Sequence, residues 1–341
     1  MNHFLRLISL CLVFSSTKAQ KKEPSPLLSK YLQNPLAVKK MVLQGQQLDF
    51  KDLDIDFGAF KNLEELRLDH NLLKQTLYTM GGLISLKILS LSHNQLTEIG
   101  VYIKRIRSLQ RLDLSYNKME KVIDYTDRFR NLRNLEVLNL SHNQIEEVDD
   151  HIGDIEKLKH LDLSYNKLPR IRRDIGNLEQ LEVLNLAGNE ICVPSLDASE
   201  LQALRELDLS NNNSMRVFPY DFLQVETLRT IDVSKCGIEF LVSQKSVYKE
   251  SFIQKINLAD NRIREIPRAF TKLKSLEVLD LRNNDLIEVG LLKHLKGLKK
   301  LYLSGNFIPP KEVDKLQKKL PNCKIYHLPQ VNDLFTDHST N

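Results

Sequence analysis

Histidine, aspartate and serine residues recur along this chain where they could combine into catalytic or metal-binding sites. His142, Asp162 and Ser141 could form a hydrolytic triad, and His142, His160 and Asp162 could bind a transition metal. A catalytic triad needs a pocket that excludes water. A metal site needs further groups that hold the metal-binding side chains in position. The sequence contains no G-x-S-x-G, H-E-x-x-H, G-x-x-x-x-G-K or C-x-x-C motif. It therefore predicts neither an enzyme nor a metal or cofactor site.

These side chains belong to a pattern that repeats twelve times between Val38 and Ile308, L-x-x-L-x-L-x-x-N-x-L. Clear copies begin at Leu135, Leu158 and Leu276, and successive copies start 22 to 26 residues apart. Within each copy, apolar residues alternate with polar ones over a few positions, which predicts a short strand with one buried face. A period of about 23 residues with this signature is typical of a leucine-rich repeat solenoid, in which stacked units share one continuous core.

An asparagine follows the strand in most copies of the repeat. Its side-chain amide can pair with backbone groups of its own turn and of the next coil, which would otherwise be buried without partners. The first copy has Gln46 at this place, as expected of a capping unit, and the ninth has Cys236. The sequence therefore predicts a structural ladder made of Asn71, Asn94, Asn117, Asn143, Asn166, Asn189, Asn212, Cys236, Asn261, Asn284 and Asn306.

The repeat resembles that of a bacterial and plant-disease-resistance-like family of 23-residue leucine-rich repeats. The resemblance is carried by Leu168-Pro169 to Leu178 and by Ile266-Pro267 to Leu276, and it extends over about residues 36–326. It implies an α/β repeat solenoid, a curved horseshoe with about twelve parallel strands on its concave face and short turns on its convex face. Because members of the family bind many unrelated proteins, it implies a protein partner without identifying it.

A row of aspartate and asparagine residues is expected on the concave face, between the second and third leucines of each copy. Ca²⁺ takes six to eight oxygen ligands, whereas a ladder of strands supplies few oxygens at any one point. Alternation of Asp with Asn keeps like charges apart, except at Asp208 and Asp232, which should be neighbours and repel each other. A structural interpretation is therefore favoured for Asp113, Asn139, Asp162, Asn185, Asp208, Asp232, Asn257 and Asp280.

Two further rows favour the concave face as a binding surface. Five consecutive copies carry a ring just before the asparagine, at His70, His93, Tyr116, His142 and Tyr165. The position two residues after the first leucine adds apolar and basic side chains, at Ile88, Arg111, Val137, His160 and Val183. Tyrosine and arginine are favoured interface anchors, although Ser-His-Asn and Ser-Tyr-Asn are also common fillers of such repeats. The predicted partner-binding residues are Arg111, Tyr116, Val137, His142, His160, Tyr165 and Val183.

The first nineteen residues have the three-part layout of a secretory signal. An apolar run begins at Leu7 after a basic residue, and Thr17-Lys18-Ala19 provides a small-x-small cleavage site before Gln20. The run is far shorter than the ~20 residues of a membrane-spanning helix. The sequence therefore predicts a signal peptide at 1–19, a mobile leader at 20–35 and a secreted, periplasmic or cell-surface protein. If the segment is not a signal, the protein is cytoplasmic and is better interpreted as an intracellular regulatory scaffold.

The C-terminal end is predicted to close the solenoid, which with its two caps extends over residues 36–326. Pro309-Pro310 stops the strand path, residues 311–320 have the spacing of an amphipathic helix, and residues 321–326 can add a last strand. Residues 327–341 are predicted to be a disordered tail. The end is rich in lysine, but it has too few interleaved aromatic residues for a nucleic-acid site, so a solvated cap is favoured.

The composition of the whole chain argues against two classes of protein. The formal net charge of only +5 argues against the whole molecule as a polyanion binder. The three cysteines beyond residue 19 are odd in number and widely spaced, which argues against a disulfide framework.

The sequence predicts a non-catalytic, exported solenoid that binds a protein on its concave face, with no nucleic acid or cofactor. A surface polysaccharide on Tyr116 and Tyr165 is an alternative partner. Lengthened copies at Val122 to Arg130 and Val242 to Ser251 offer an alternative binding site on the convex side.

Overall fold

The computed structural model of the protein covers most of the repeat region. It describes residues 26–49, 55–122, 129–171, 173–192, 200–241 and 251–328. The predicted signal peptide, the first part of the predicted leader, most of both lengthened segments and residues 329–341 of the predicted tail lie outside the described residues.

In the described part of the chain, thirteen parallel strands form one sheet. Each of the twelve repeats contributes one strand, and the last strand comes from the C-terminal cap. The strands of this sheet are β1 (Lys40–Val42), β2 (Glu65–Arg67), β3 (Ile88–Ser90), β4 (Arg111–Asp113), β6 (Val137–Asn139), β8 (His160–Asp162), β9 (Val183–Asn185), β10 (Glu206–Asp208), β11 (Thr230–Asp232), β12 (Lys255–Asn257), β13 (Val278–Asp280), β14 (Lys300–Tyr302) and β15 (Lys324–Tyr326). Strands β5 (Lys121–Val122) and β7 (Glu147–Val148) pair in a second parallel sheet. The predicted fold, a curved solenoid with a parallel sheet on its concave face, is confirmed.

The middle residue of each strand faces the core, and its two neighbours face the concave surface. Leu138, Leu161 and Leu184 hold equivalent places in β6, β8 and β9, and all three are buried. Because the strands are in register, these leucines stack on one another from coil to coil. Burial of one leucine side chain contributes roughly 1.5–3 kcal/mol, so the stacked coils together share a core that no single repeat could form.

Short 3₁₀ helices carry the chain along the convex side between strands. They bury large side chains such as Phe57, Phe222 and Phe270, which close the core opposite the sheet. A 3₁₀ helix advances about 2.0 Å per residue, so few residues span the return path. The described helices of this kind are Pro35–Ala37, Phe57–Ala59, Tyr78–Gly82, Ile103–Arg105, Phe129–Asn131, Asp150–Asp154, Arg173–Asn177, Tyr220–Gln224, Arg268–Lys272 and Gly290–His294.

Helix α1 (Pro26–Leu32) covers the N-terminal end of the solenoid. Leu28 is buried, and the Tyr31 hydroxyl accepts a hydrogen bond from the Val42 amide at 3.4 Å. The helix lies within residues 20–35, the segment predicted to be a mobile leader, and it packs against the first coil. Leu28 and Tyr31 are three residues apart and therefore share one face of the helix. An apolar pattern as short as this does not predict a helix from the sequence alone.

Helix α2 (Pro310–Lys319) and β15 close the C-terminal end, where the sequence predicts a helix and a last strand. Leu316 and Leu320 are buried, and Val313 packs against the same core. Proline suits the first turn of a helix, because its missing N–H would have no partner within the helix there. Among the helices of the described residues, none is long and apolar enough to cross a membrane.

Candidate functional site

Asparagine side chains bind each coil to its neighbour just beyond the strands. The Oδ1 atom of Asn166 accepts a hydrogen bond from the Ile145 amide of the preceding coil at 2.9 Å. Its Nδ2 atom donates to the Leu140 carbonyl at 3.1 Å and to the Leu163 carbonyl at 2.9 Å. Equivalent contacts are made at both ends of the ladder, by Asn71 and Asn306. These bonds fix the backbone on which the concave side chains stand.

Cys236 takes the place of the asparagine in the ninth repeat. Its Sγ donates to the Leu209 carbonyl of the preceding coil at 3.1 Å. Burial raises the pKa of the Cys236 thiol to about 12, so the thiol keeps the proton that this donation needs. The Leu209 carbonyl oxygen thus accepts a hydrogen bond from a neutral thiol. In the repeats that carry an asparagine at this place, its amide donates the equivalent bond.

The residue before each asparagine adopts a left-handed backbone conformation. The φ angle is 53° at Tyr116 and 52° at both His142 and Tyr165. Glycine, asparagine, aspartate and histidine tolerate this conformation best, so a tyrosine there is uncommon. Another copy uses glycine, at Gly188, with a φ angle of 66°. This backbone conformation, which a sequence pattern does not reveal, gives successive rings a shared orientation.

The ring-bearing residues of this row form one continuous stack, the ring stack, made of His70, His93, Tyr116, His142 and Tyr165. Successive ring centroids are 4.1, 4.1, 4.1 and 4.4 Å apart, and adjacent ring planes lie within 14° of parallel. The ring edges face outwards, since 44% of Tyr116 and 49% of Tyr165 is exposed. Gly188 ends the stack, because a Cβ atom there would lie 2.7 Å from Cδ1 of Tyr165. The stack therefore presents a strip of ring edges to solvent.

The stacking argues against Tyr116 and Tyr165 as platforms for a sugar. A sugar ring would need an open aromatic face, but His93 and His142 cover the two faces of Tyr116. His142 also covers one face of Tyr165, and Gly188 of the next coil lies against the same ring. Ring edges and phenol hydroxyls remain for contact, and these suit a protein interface.

Enclosure in the stack changes the proton affinity of one imidazole. Partial burial between its neighbours lowers the pKa of His93 below its ordinary value, and the adjacent His70 lowers it further. Asp113 and Asp69 act in the opposite direction without reversing the shift. His70 and Tyr116 cover the two ring faces of His93, whereas its ring edge is open to solvent. This explains why the imidazole is partly desolvated although the residue as a whole is exposed. The neutral form of His93 is therefore favoured within the ring stack.

The second predicted row lies on neighbouring strands of the same face. Arg111, Val137, His160 and Val183 are direct partners in register across β4, β6, β8 and β9. Arg111 and His160 are exposed, and the two valines are half-buried. The structure therefore brings the predicted partner-binding residues onto one side of four consecutive coils. This surface, the concave patch, consists of Arg111, Tyr116, Val137, His142, His160, Tyr165 and Val183.

The aspartate and asparagine row between these two sets of side chains holds the turns in place. Asp162 Oδ1 accepts hydrogen bonds from the Ser164 amide at 2.9 Å and from the Ser164 hydroxyl at 2.6 Å. Asp162 Oδ2 accepts a third from Asn185 Nδ2 on the next strand, at 3.2 Å. The carboxylate is therefore engaged by its own turn and its neighbour. Among the described residues, no group of three or more His, Cys, Asp or Glu side chains is arranged to hold a metal ion.

Asp208 and Asp232 are direct cross-strand partners in β10 and β11. Burial raises the pKa of the Asp208 carboxyl above its ordinary value, and Asp232 adds to this rise, while hydrogen bonds from Ser210 oppose it. The break in Asp–Asn alternation in the sequence predicts this repulsion. Alternation returns on the following strand, where Asn257 Nδ2 donates to Asp232 Oδ2 at 2.7 Å.

A second aromatic cluster, which the sequence-based site does not include, lies at the C-terminal end of the concave face. Tyr302 and Tyr326 stack with their ring centroids 4.6 Å apart. The Arg282 guanidinium lies 5.4 Å from the Tyr302 centroid and donates two hydrogen bonds to Asp280 Oδ2, at 2.6 and 3.0 Å. The sequence contained a signal for this cluster, because tyrosine takes the place of Asp or Asn in the aspartate and asparagine row on the last two strands.

Comparison with known protein families agrees with this architecture. A leucine rich repeat model matches residues 61–119, 133–191 and 251–308, which together make up more than half of the chain. Two further leucine-rich repeat models match residues 107–153 and 203–224. The chain therefore belongs to the leucine-rich repeat family, as its repeat pattern predicts. It has no significant match among curated proteins.

Solved structures with the same fold come from several sources. An internalin, inlF of Listeria monocytogenes, superposes with a TM-score of 0.69 at 18% identity, over 90% of this chain and 88% of the internalin. A chain of the LRIM1/APL1C complex gives a TM-score of 0.67 at 20% identity, over 86% of this chain and 60% of that one. A leucine-rich repeat protein of Leptospira interrogans gives 0.50 at 24% identity, over 87% and 98%. At these identities the similarity establishes the fold.

Proposed function

We propose that the chain is a non-catalytic solenoid that is exported from its cell and binds a protein partner through the concave patch. The observation that carries the proposal is the ring stack, whose exposed edges share the concave face with the row from Arg111 to Val183. Tyrosine and arginine are enriched at the energetic centres of protein interfaces. The patch thus combines aromatic, apolar and basic side chains in two rows, with the aspartate and asparagine row between them.

Rigidity supports the same proposal. Each tyrosine of the patch is held by a stacked neighbour, and each turn is held by an asparagine of the ladder. Side chains that are already immobilised lose little conformational entropy when a partner docks. A patch of this kind can therefore bind a partner with little rearrangement of its own.

One structural neighbour supports a protein as the partner. The structure that contains LRIM1 is that of a complex with APL1C, so a protein that includes this fold associates with another protein. Repeat solenoids in general offer extended concave surfaces for such contacts. For the present chain, the partner is proposed to contact the concave patch.

Export is proposed from the residues before Gln20. The apolar run that starts at Leu7 and the Thr17-Lys18-Ala19 site have the layout of a cleavable signal. Mass spectrometry of the protein from its own host is expected to give a mature N-terminus at or next to Gln20. An intact Met1 on most of the protein would contradict export and favour the intracellular scaffold.

Capture of partners from host material tests the binding site. The chain starting at Gln20 serves as bait beside the double variant Tyr116→Ala/Tyr165→Ala. A matched control, Asn211→Ala/Asp260→Ala, changes two residues at the equivalent left-handed position outside the patch, each with a φ angle of 58°. A protein that is captured by the wild type and the control but lost from the tyrosine variant supports the proposal. A protein captured equally by all three baits contradicts the concave patch as the site.

A further inference from the structure

Positive charge is concentrated at the C-terminal end of the solenoid. Residues 290–328 contain nine lysines and two acidic residues, which gives this segment a net charge of +7. Since the whole chain carries +5, the remainder carries −2. The modest net charge of the molecule therefore conceals a strong charge asymmetry.

Six of these lysines gather at one corner, where the strands begin and α2 ends. The Lys296 Nζ atom donates to the Lys319 carbonyl at the end of α2, at 3.0 Å. The Lys324 amide donates to the Lys299 carbonyl at 2.9 Å, and Lys324 is the direct cross-strand partner of Lys300. Lys318 precedes Lys319 in the last turn of α2. This exposed group, the lysine patch, consists of Lys296, Lys299, Lys300, Lys318, Lys319 and Lys324.

Elsewhere in the sheet, some basic residues at the strand position of Lys300, or one residue before it, pair with acidic ones. Lys40 pairs with Glu65 of the next strand at 2.9 Å, and Lys159 lies 3.1 Å from Glu136. Like charges directly opposite each other destabilise a sheet, so the Lys300–Lys324 pair weakens the fold. Within the described residues, a single ion pair reaches the lysine patch, from Glu277 to Lys299 at 2.7 Å. Folding therefore does not explain why the patch is basic.

We propose that the lysine patch is a docking surface for a membrane that carries anionic lipid headgroups. Lysine ammonium groups are point charges on flexible stems, so they suit phosphates that move laterally within a bilayer. The segment 290–328 contains no arginine, the residue that reads phosphate or base edges in a fixed bidentate geometry.

Nucleic acid is the poorer fit to this surface. Single strands are held by bases that stack on open aromatic faces. Tyr302 and Tyr326 cover one face of each other, and Arg282 and Lys324 lie 5.4 and 4.9 Å from the respective ring centroids.

Docking of the lysine patch on a membrane would hold the solenoid by its C-terminal end and leave the concave patch of repeats four to seven accessible. This inference is independent of the partner proposed above.

Vesicle sedimentation of the full chain tests the proposal. The probes are vesicles of phosphatidylcholine alone and vesicles in which a third of the lipid is phosphatidylserine. The chain is expected to bind the anionic vesicles at least tenfold more tightly, with an affinity that falls as salt rises. The variant Lys300→Glu/Lys324→Glu keeps a like-charged pair across the strands but loses the contact of Lys324 with the Tyr326 ring, so circular dichroism first checks that it is folded. It is expected to lose at least tenfold of the binding.

A matched control makes the same change in net charge elsewhere. Lys118 and Lys255 are exposed and lie on other coils, and Lys255 holds the same strand position as Lys300. Lys118→Glu/Lys255→Glu is expected to bind anionic vesicles almost as well as the wild type. An equal loss in both double variants would overturn the patch as the site. Equal binding to both kinds of vesicle, or binding to a soluble polyanion such as duplex DNA with none to vesicles, would overturn the membrane proposal.

Discussion

The imidazole of His142 and the phenol of Tyr165 lie parallel, with their centroids 4.4 Å apart and their planes 9° from each other. Both residues have a φ angle of 52°, so the two rings leave the backbone in the same way from neighbouring coils. Stacked aromatic pairs contribute about 0.5–1.5 kcal/mol beyond the area they bury. The stack therefore offsets part of the cost of placing tyrosine in a left-handed conformation.

Replacement of Tyr165 separates stacking from backbone effects. Tyr165→His keeps a ring at a position where histidine already occurs in other coils, so the free energy of unfolding is expected to change by less than about 0.5 kcal/mol. Tyr165→Ala removes the ring and is expected to cost about 1–2 kcal/mol. Urea midpoints measure both. A histidine variant as unstable as the alanine variant would show that stacking with His142 contributes little.

The stack should make stability depend on pH. The folded-state pKa of His93 is lowered from the value of 6.5 that it has when unfolded, so the unfolded chain binds the proton more readily. Stability from this group is present above about pH 6.5 and is lost as the pH falls towards the folded pKa. His93→Tyr keeps a ring in the stack and removes this titration. Urea midpoints at pH 7 and pH 5 are expected to differ less in the variant, and an identical difference would contradict the assignment.

The asparagine ladder should matter more to stability than the half-buried Lys159, which precedes β8. Asn166→Ala removes an acceptor for the Ile145 amide and donors to two carbonyls, at a cost of roughly 1–3 kcal/mol. Lys159→Ala loses a half-buried ion pair with Glu136 at the surface and is expected to cost about 0.5 kcal/mol or less. Denaturant midpoints in the reverse order would mean that the ladder is not the main link between coils.

The aspartate pair offers a stabilising substitution. At neutral pH, Asp208→Asn removes the repulsion from Asp232 and is expected to raise stability by about 0.5 kcal/mol. Because the folded pKa of Asp208 is raised, the gain should shrink as the pH falls and this carboxyl is protonated. Asp162→Asn is the control, since Asp162 already lies between asparagines in β6 and β9. A gain of equal size in the control would show that repulsion is not the cause.

The repeat period alone was enough to predict the strands, because leucine spacing defines both the buried face and the register. The same register predicts the ring row and the repulsion between Asp208 and Asp232. It does not predict that the ring faces of Tyr116 are covered, since that depends on a left-handed backbone conformation. Helix α1 was missed because its buried face consists of little more than Leu28 and Tyr31.

The lysine patch shows a different limit of sequence reasoning. Its lysines are visible in the sequence, where they suggest a solvated cap helix. Their proximity depends on closure of the last coil, which brings Lys296 to the end of α2 and Lys324 beside Lys300. Distances of this kind arise from tertiary packing, so a linear count of charges does not contain them.

The most direct test of the central proposal is the affinity of the captured partner for variants of the concave patch. Binding by Tyr116→Ala/Tyr165→Ala is expected to be at least tenfold weaker than binding by the wild type, as for interface anchors. Asn211→Ala/Asp260→Ala is expected to keep nearly full affinity. Equal affinity of all three proteins for the partner would contradict a concave site and favour the lengthened segments at Val122 to Arg130 or Val242 to Ser251.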